Sequence, residues 1–204
     1  MVRRIGVLGV QGDVEEHISA AKKAIEEERI DGEVKVVKTP QDVDAIDAIM
    51  LPGGESTAIG SLSALNGTLG RLTSRLKAGL PALGTCAGLI LLARRTTDRV
   101  VGTTNQPLLG VLDVEVNRNA FGRQRESFET ELAIPKLGDK PYHAVFIRAP
   151  VITSVGNGVE VLAKTDEGIV AVQQGNIIGT SFHPELSGDS RLHRYFLRLI
   201  DSAQ

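Results

Sequence analysis

Apolar residues follow two rhythms along this chain, and the change between them falls near Val101. Ile5 to Val10 is a short apolar run interrupted by glycine and predicts a buried strand. After Asp13, the residues Val14, Ile18, Ala21 and Ile25 recur at helical spacing. Glu15 and Glu16 occupy that helix's first turn, where the helix dipole favours acids. Glu33 to Lys38 alternates as a strand, Val43 to Ile46 suits a helical turn, and Ala48 to Leu51 is another buried strand. Helices are expected after Ser56 and over Leu69 to Lys77, followed by a short strand in LPALGT and a helical run in AGLILLARR. This β-α-β-α succession predicts an α/β fold with an open, mostly parallel sheet and helices on both faces.

Beyond Val101 strand-like pieces dominate: LLGVLDVEV, FETELAI, HAVFIRAP, VEVLAKT, GIVAVQQG and NIIGTSF. The glycines of GNG at 156–158 and of GN at 175–176 read as hairpin turns. Antiparallel additions to the same sheet, a small flanking sheet and a closing helix from Arg191 to Ser202 are expected. With no repeat, low-complexity tract or linker in view, residues 1–204 read as a single domain.

Composition narrows the function. A net charge of −2 over 204 residues gives no electrostatic footprint for nucleic acid or an anionic membrane surface. No segment approaches the roughly 20 apolar residues of a membrane span. MVRRIGVLGV is broken by glycines and lacks the pattern of a signal peptide. The single cysteine, Cys86, excludes an internal disulfide and fits a reducing, cytoplasmic setting.

Cys86 sits in GTCAGLI, which has the form G-x-nucleophile-x-G between an apolar strand and a helix. Small neighbours permit the strained turn that projects a nucleophile, the helix N-terminus stabilises a thiolate, and the Ala87 N–H faces a developing oxyanion. The same glycines could instead serve only helix–sheet packing. A thiolate acting on an amide needs a proton shuttle and a residue that orients it. Of the four histidines, His17 and His193 lie on the first and last helices, where a solvated face is expected, and His143 has no evident partner. His183 in TSFHPEL follows a strand, and Glu185 is two residues on, so a Cys86–His183–Glu185 triad is expected. In LPGGEST, the Gly53–Gly54 turn offers N–H groups to an oxygen, and Ser56 or Thr57 is placed to cap the next helix. NRNAFGRQRESFE concentrates arginine in a loop, where Arg118 suits a carboxylate, and FIRAP ends an apolar strand in Arg148. The glycines Gly6, Gly9 and Gly12 are spaced G-x-x-G-x-x-G, which is not the dinucleotide-binding fingerprint.

Together, GVLGVQGDVEEH, LPGGEST, GTCAGLILLA, NRNAFGRQRESFE, FIRAP and SFHPEL resemble the class I, triad-type glutamine amidotransferases, and within them the glutaminase subunits of pyridoxal 5′-phosphate synthase. The resemblance spans essentially the whole chain. It implies a flavodoxin-like fold and hydrolysis of L-glutamine to L-glutamate and ammonia, which passes to a synthase subunit as partner in vitamin B6 biosynthesis. Carried over by position, Cys86 is the nucleophile, His183 the general base and acid, and Glu185 its orienter. Gly54, Glu55, Ser56, Arg118, Ile147 and Arg148 contact glutamine; Gly53, Gly54 and Ala87 form the oxyanion hole, with Gln11 near it and near the partner interface. Neither metal nor organic cofactor is expected, because thiolate and oxyanion hole cover the chemistry. The segments 26–33 and 96–107 are expected to touch surface rather than site. Rival readings are the glutaminase of another synthase, such as that of histidine biosynthesis, a non-catalytic partner-binding subunit, and a stand-alone hydrolase of γ-glutamyl peptides.

Overall fold

The computed structural model describes residues 2–98, 102–103, 105–118 and 127–202; the remainder of the arginine-rich stretch, 119–126, lies outside the described residues. The first half runs β1 (Arg3–Leu8), α1 (Val14–Glu28), β2 (Gly32–Val37), α2 (Pro40–Asp44), β3 (Ala48–Leu51), α3 (Ser56–Leu65), α4 (Thr68–Lys77), β4 (Ala82–Thr85) and α5 (Ala87–Leu92). Strands dominate the second: β5 (Ala93–Asp98), β6 (Gly102–Thr103), β7 (Leu112–Asn117), β8 (Ser127–Leu132), β9 (Tyr142–Ile147), β10 (Val151–Val155), β11 (Glu160–Thr165), β12 (Gly168–Gln174) and β13 (Ile177–Thr180). Helix α6 (Arg191–Ser202) closes the chain's described part.

The main sheet has the order β2-β1-β3-β4-β13-β12-β10-β7-β5-β6, with β11 paired to β12. Its first five strands are parallel, and β12, β10 and β7 continue it antiparallel. β8 and β9 form a separate antiparallel pair. The expected parallel core, antiparallel additions and small flanking sheet are therefore all present.

Alternation along the buried strands builds a core on each face. Ile49 and Leu51 of β3 pack with Leu72 and Leu76 of α4 and with the α5 leucines. Ala48 and Met50, pointing the other way, join Ala21 and Ala24 of α1 and Phe196 and Leu197 of α6. Strand β3 is buried over its full length because both faces are covered. The strand order reverses between β1 and β3, so the crevice beyond their carboxyl ends is where a doubly wound sheet presents its ligand site.

Two local expectations change. The helical run AGLILLARR stops at Leu92, and Ala93–Asp98 forms β5 beside β7. Tertiary pairing overrides helix propensity there: Arg94 and Arg95 meet Asp113 and Glu115 of β7 at 2.7 and 3.2 Å. GNG at 156–158 joins β10 to β11, each of which pairs with β12, so it is a crossing connection and not a hairpin. Gly175–Asn176 does close a two-residue hairpin, with Gln174 opposite Ile177.

Candidate active site

Cys86 stands between β4 and α5 with φ 49° and ψ −101°, a conformation that L side chains rarely adopt. Such strain costs on the order of 1–3 kcal/mol and persists only where surroundings impose it. Here the Cys86 N–H donates to Thr180 O at 2.8 Å, tying the turn to β13. The flanking glycines let helix and strands meet: a Cβ on Gly88 would lie 2.0 Å from Leu51 O, and one on Gly84 2.5 Å from Leu92 Cδ1. Close packing and projection of the sulfur are thus the same piece of geometry. Ala87 begins α5, and its N–H has no acceptor within the helix.

The loop after β13 brings His183 to this turn. His183 Nδ1 lies 2.6 Å from Glu185 Oε1 and 3.4 Å from Asp13 Oδ2. Both the His183 and Glu185 side chains are almost wholly buried, and the His183 N–H donates to Val145 O at 2.8 Å. Burial works against a charged ring, yet the pairing with Cys86 and Glu185 outweighs it and raises His183 to about 10. The Glu185 carboxyl moves upward through burial, opposed by His183. His183 Nε2 is buried and has no hydrogen bond of normal geometry, although Cys86 acts strongly on the ring. Asp13, His183 and Glu185 are also the described grouping closest to a metal-ligand set, within 4.8 Å of one another. Their shared nitrogen is already hydrogen-bonded to Glu185, which suits an oriented base.

A cleft of about 420 Å³ opens over the sulfur. Cys86 and His183 line it together with Gln11, Gly54, Glu55, Ser56, Arg118, Ile147 and Arg148, so most of the residues singled out in the sequence converge on one space. Glu185 lies behind His183, out of the cleft. Cys86 Sγ is 3.9 Å from Ile147 O, and Arg148, exposed, takes the strained value φ 42° at the rim. Gly12, Gly53 and Gly54 allow two loops to touch: a Cβ on Gly12 would be 1.9 Å from Gly53 O, which accepts from the Asp13 N–H. Gln11 Oε1 accepts from the Glu55 N–H at 2.9 Å, crossing between the same loops.

Some assignments shift. Glu55, not Ser56 or Thr57, caps α3, accepting from the N–H groups of Thr57 and Ala58. Burial pushes the Glu55 carboxyl upward, but those two N–H groups and the Arg118 cation outweigh it and hold it low. Arg118 donates to Glu55 Oε1, Thr57 Oγ1 and Gln106 Oε1, so its guanidinium is positioned by neighbours before any ligand arrives. Gln106 belongs to the segment read as surface, yet it also accepts from Ser56 Oγ and therefore braces the cleft. His143 has partners after all, Glu131 and Glu129 at 2.9 and 3.0 Å on the flanking sheet.

The largest departure concerns His17 and His193, both fully buried where solvated faces were expected. His17 Nε2 lies 3.0 Å from Thr85 Oγ1 and 3.3 Å from Glu185 Oε2. Burial and the neighbouring His193 and His183 push His17 well below its usual range, and burial takes His193 to about 4. The sequence carried the signal: His17 is in helical phase with Ala21 and Ala24, and His193 with Phe196, Leu197 and Ile200.

The glutamine amidotransferase family called SNO matches residues 7–202. Chains named pyridoxal 5′-phosphate synthase subunit PdxT from Nitrosopumilus maritimus and Archaeoglobus fulgidus are 51% and 50% identical, each over 200 residues; the matches cover 98% of this chain and 98% and 100% of theirs. A solved glutamine amidotransferase structure superposes with a TM-score of 0.84 at 45% identity, covering 97% of this chain and 98% of that one. At 15% identity and a TM-score of 0.65, a structure described as a putative GMP synthase subunit from Thermoplasma acidophilum shares the fold. The chain belongs to the SNO glutamine amidotransferase family.

Proposed function

We propose that this chain is the glutaminase subunit of a pyridoxal 5′-phosphate synthase. As a single cytoplasmic domain, it would hydrolyse L-glutamine to L-glutamate and ammonia and pass the ammonia to the synthase subunit. The observation that carries the reading is the convergence of Cys86, His183 and Glu185 at the strained turn beneath a cleft of about 420 Å³. The name carried by the similar chains supports the partner.

In this reading Cys86 and Glu185 raise the affinity of His183 for a proton, so the ring accepts the proton that the thiol gives up as it attacks. Cys86 Sγ attacks the side-chain carboxamide carbon, and the oxyanion is met by the Ala87 N–H and the Gly53–Gly54 turn, each donor contributing a few kcal/mol. His183 gives its proton to the leaving nitrogen, the C–N bond breaks, and ammonia departs from a γ-glutamyl thioester. Neutral His183 then takes a proton from water, whose oxygen attacks the thioester, releasing glutamate and the thiol. Throughout, Glu185 holds Nδ1 and balances the ring's positive charge. Gly53 O is turned to the Asp13 N–H, and the absence of side chains at Gly53 and Gly54 lets that peptide rotate when a partner docks.

The test is ammonia release from glutamine by wild type and by Cys86→Ala, each with and without the synthase subunit. Turnover is expected only in wild type and is expected to rise with the partner. Undiminished turnover in Cys86→Ala would refute the nucleophile, and equal rates with and without the partner would refute the docking-dependent oxyanion turn.

A further inference from the structure

The base of the triad has a support on its far side. Glu185 spends Oε1 on His183, and its Oε2 is buried with no well-formed hydrogen bond. The ring nitrogen facing that oxygen is His17 Nε2, at 3.3 Å, on a side chain with no solvent exposure. The same nitrogen lies 3.0 Å from the hydroxyl of Thr85, the residue immediately before Cys86. His17 therefore spans from the strand that carries the nucleophile to the carboxylate that orients the base. It does so from α1, an element that contributes neither.

We propose that His17 is a positioning residue for the hydrolysis of glutamine: its Nε2–H holds the second oxygen of Glu185, fixing that carboxylate as an anion aligned on His183. The inference rests on the glutaminase reading above. Its chemistry follows from the charge sequence of the reaction. His183 must carry a positive charge before ammonia leaves and again while water attacks, and Glu185 stabilises it only while ionised. A buried carboxylate tends to take up a proton, because the charged form loses its solvation. A second N–H donor counters that tendency. His17 suits the task because it is neutral: a cation there would compete with His183 for Glu185 and repel the imidazolium.

The groups facing His17 are consistent with this charge state. From the loop after β13 come Glu185 and His183; from α6 comes His193, whose ring centre is 6.1 Å away; from β4 comes the uncharged Thr85. Asp13, which precedes α1, acts on Glu185 and lies 3.4 Å from His183 Nδ1. Among the described residues, the Glu185 carboxyl, the Thr85 hydroxyl and the His193 and His183 rings face His17, and the two histidines disfavour its protonation.

The test compares three substitutions in the complex with the synthase subunit. His17→Gln places an amide N–H the same number of bonds from Cβ as Nε2, His17→Asn leaves it one atom short, and His17→Leu removes it. The expected result is glutamine kcat within about threefold of wild type for His17→Gln. Losses of roughly 10- to 100-fold are expected for His17→Asn and His17→Leu, by analogy with groups that orient the ligands of metal sites. KM should stay unchanged, because His17 does not line the cleft. The acid limb of kcat should move to higher pH in both weakened variants, since Glu185 would protonate more readily. If His17→Leu fails to fold, the Gln–Asn pair makes the same comparison with polar side chains. Wild-type kcat and pH profile in His17→Asn would overturn the proposal. So would equal losses in His17→Gln and His17→Asn, because packing alone would then explain the effect. A wild-type complex that releases no ammonia would instead overturn the glutaminase reading, and this proposal with it.

Discussion

Gly53 lies against the His183 ring, and Gly53→Ala tests how finely the proposed base is placed. An added Cβ would stand 2.4 Å from His183 Cε1, 3.1 Å from His183 Nδ1 and 2.7 Å from Asp13 Oδ2. Carbon atoms in favourable contact sit about 3.5–4.0 Å apart, so ring and loop must separate by about 1 Å. The backbone itself is no obstacle, since Gly53 is not among the positive-φ glycines. The substitution keeps the Gly53 N–H itself, and any hindrance to rotation of the turn would show separately as weaker stimulation by the synthase subunit. A misplacement of about 1 Å at a reacting group corresponds to about 100-fold in rate, which is about 2.7 kcal/mol of lost transition-state stabilisation. Overpacking should lower stability by roughly 1–3 kcal/mol. The assay is steady-state glutamine hydrolysis with the synthase subunit, with thermal unfolding measured alongside. Gly70→Ala is the control: an exposed position inside α4 with nothing within 4 Å of the added carbon. It should leave kcat unchanged and stabilise by about 1 kcal/mol. A Gly53→Ala enzyme with kcat within threefold of wild type would refute the claim that the ring has no room to move.

Two pH dependences follow from the buried histidines. His183, raised to about 10 by Cys86 and Glu185 against the opposing effect of burial, stabilises the fold fully below about pH 6.5 and loses that contribution as pH rises through about 10. The wild-type melting temperature should therefore fall between pH 7 and pH 10 more steeply than that of His183→Gln, and parallel curves would contradict the assignment. His193, lowered to about 4 by burial, has the opposite sign: the unfolded chain takes up its proton first, so stability falls as pH drops from about 6.5 toward about 4. The His193 share is about 3 kcal/mol; His193→Leu should shrink the stability difference between pH 7 and pH 4.5 by about that amount in denaturant titrations, His17 still contributing with the same sign, and an unchanged difference would count against it.

Local chemistry made much of this molecule legible in the sequence. Strand, turn and helix in LPALGT-C-AGLILL are specified by neighbours in the chain, and the glycines around Cys86 announce a close approach whichever purpose they serve. His183 and Glu185 were legible for the same reason, because proline between them leaves one loop carrying both. What escaped depends on distant partners. Arg94 and Arg95 look helical until β7 offers them Asp113 and Glu115. Gln106 looks like loop surface until the fold brings Arg118 and Ser56 to it. His17 and His193 were misread for a different reason. Both follow their helices' apolar phase, and only the usual habit of histidine at surfaces argued otherwise.

The second half of the chain also explains why a parallel sheet alone would not complete this site. Only 3% of residues are aromatic. Four of them nevertheless form one chain of contacts: Phe128 stacks on Phe146 at 4.6 Å, while Phe146 and Tyr142 meet Phe182 at 5.7 and 5.8 Å. Phe182 precedes His183, and Phe146 precedes Ile147, whose carbonyl faces Cys86 Sγ. Each aromatic pair contributes roughly 0.5–1.5 kcal/mol beyond the area it buries. The cluster thus fastens the flanking β8–β9 sheet to the main sheet beside the base. The 2.8 Å bond from the His183 N–H to Val145 O then locks the register of the two. The parallel strands present Cys86 and His183 at their carboxyl ends, and the flanking pair supplies the wall that Ile147 and Arg148 form. A change in that aromatic contact would move His183 and the wall together. Their relative geometry is therefore set by packing on the buried side of the site, independently of what occupies the cleft.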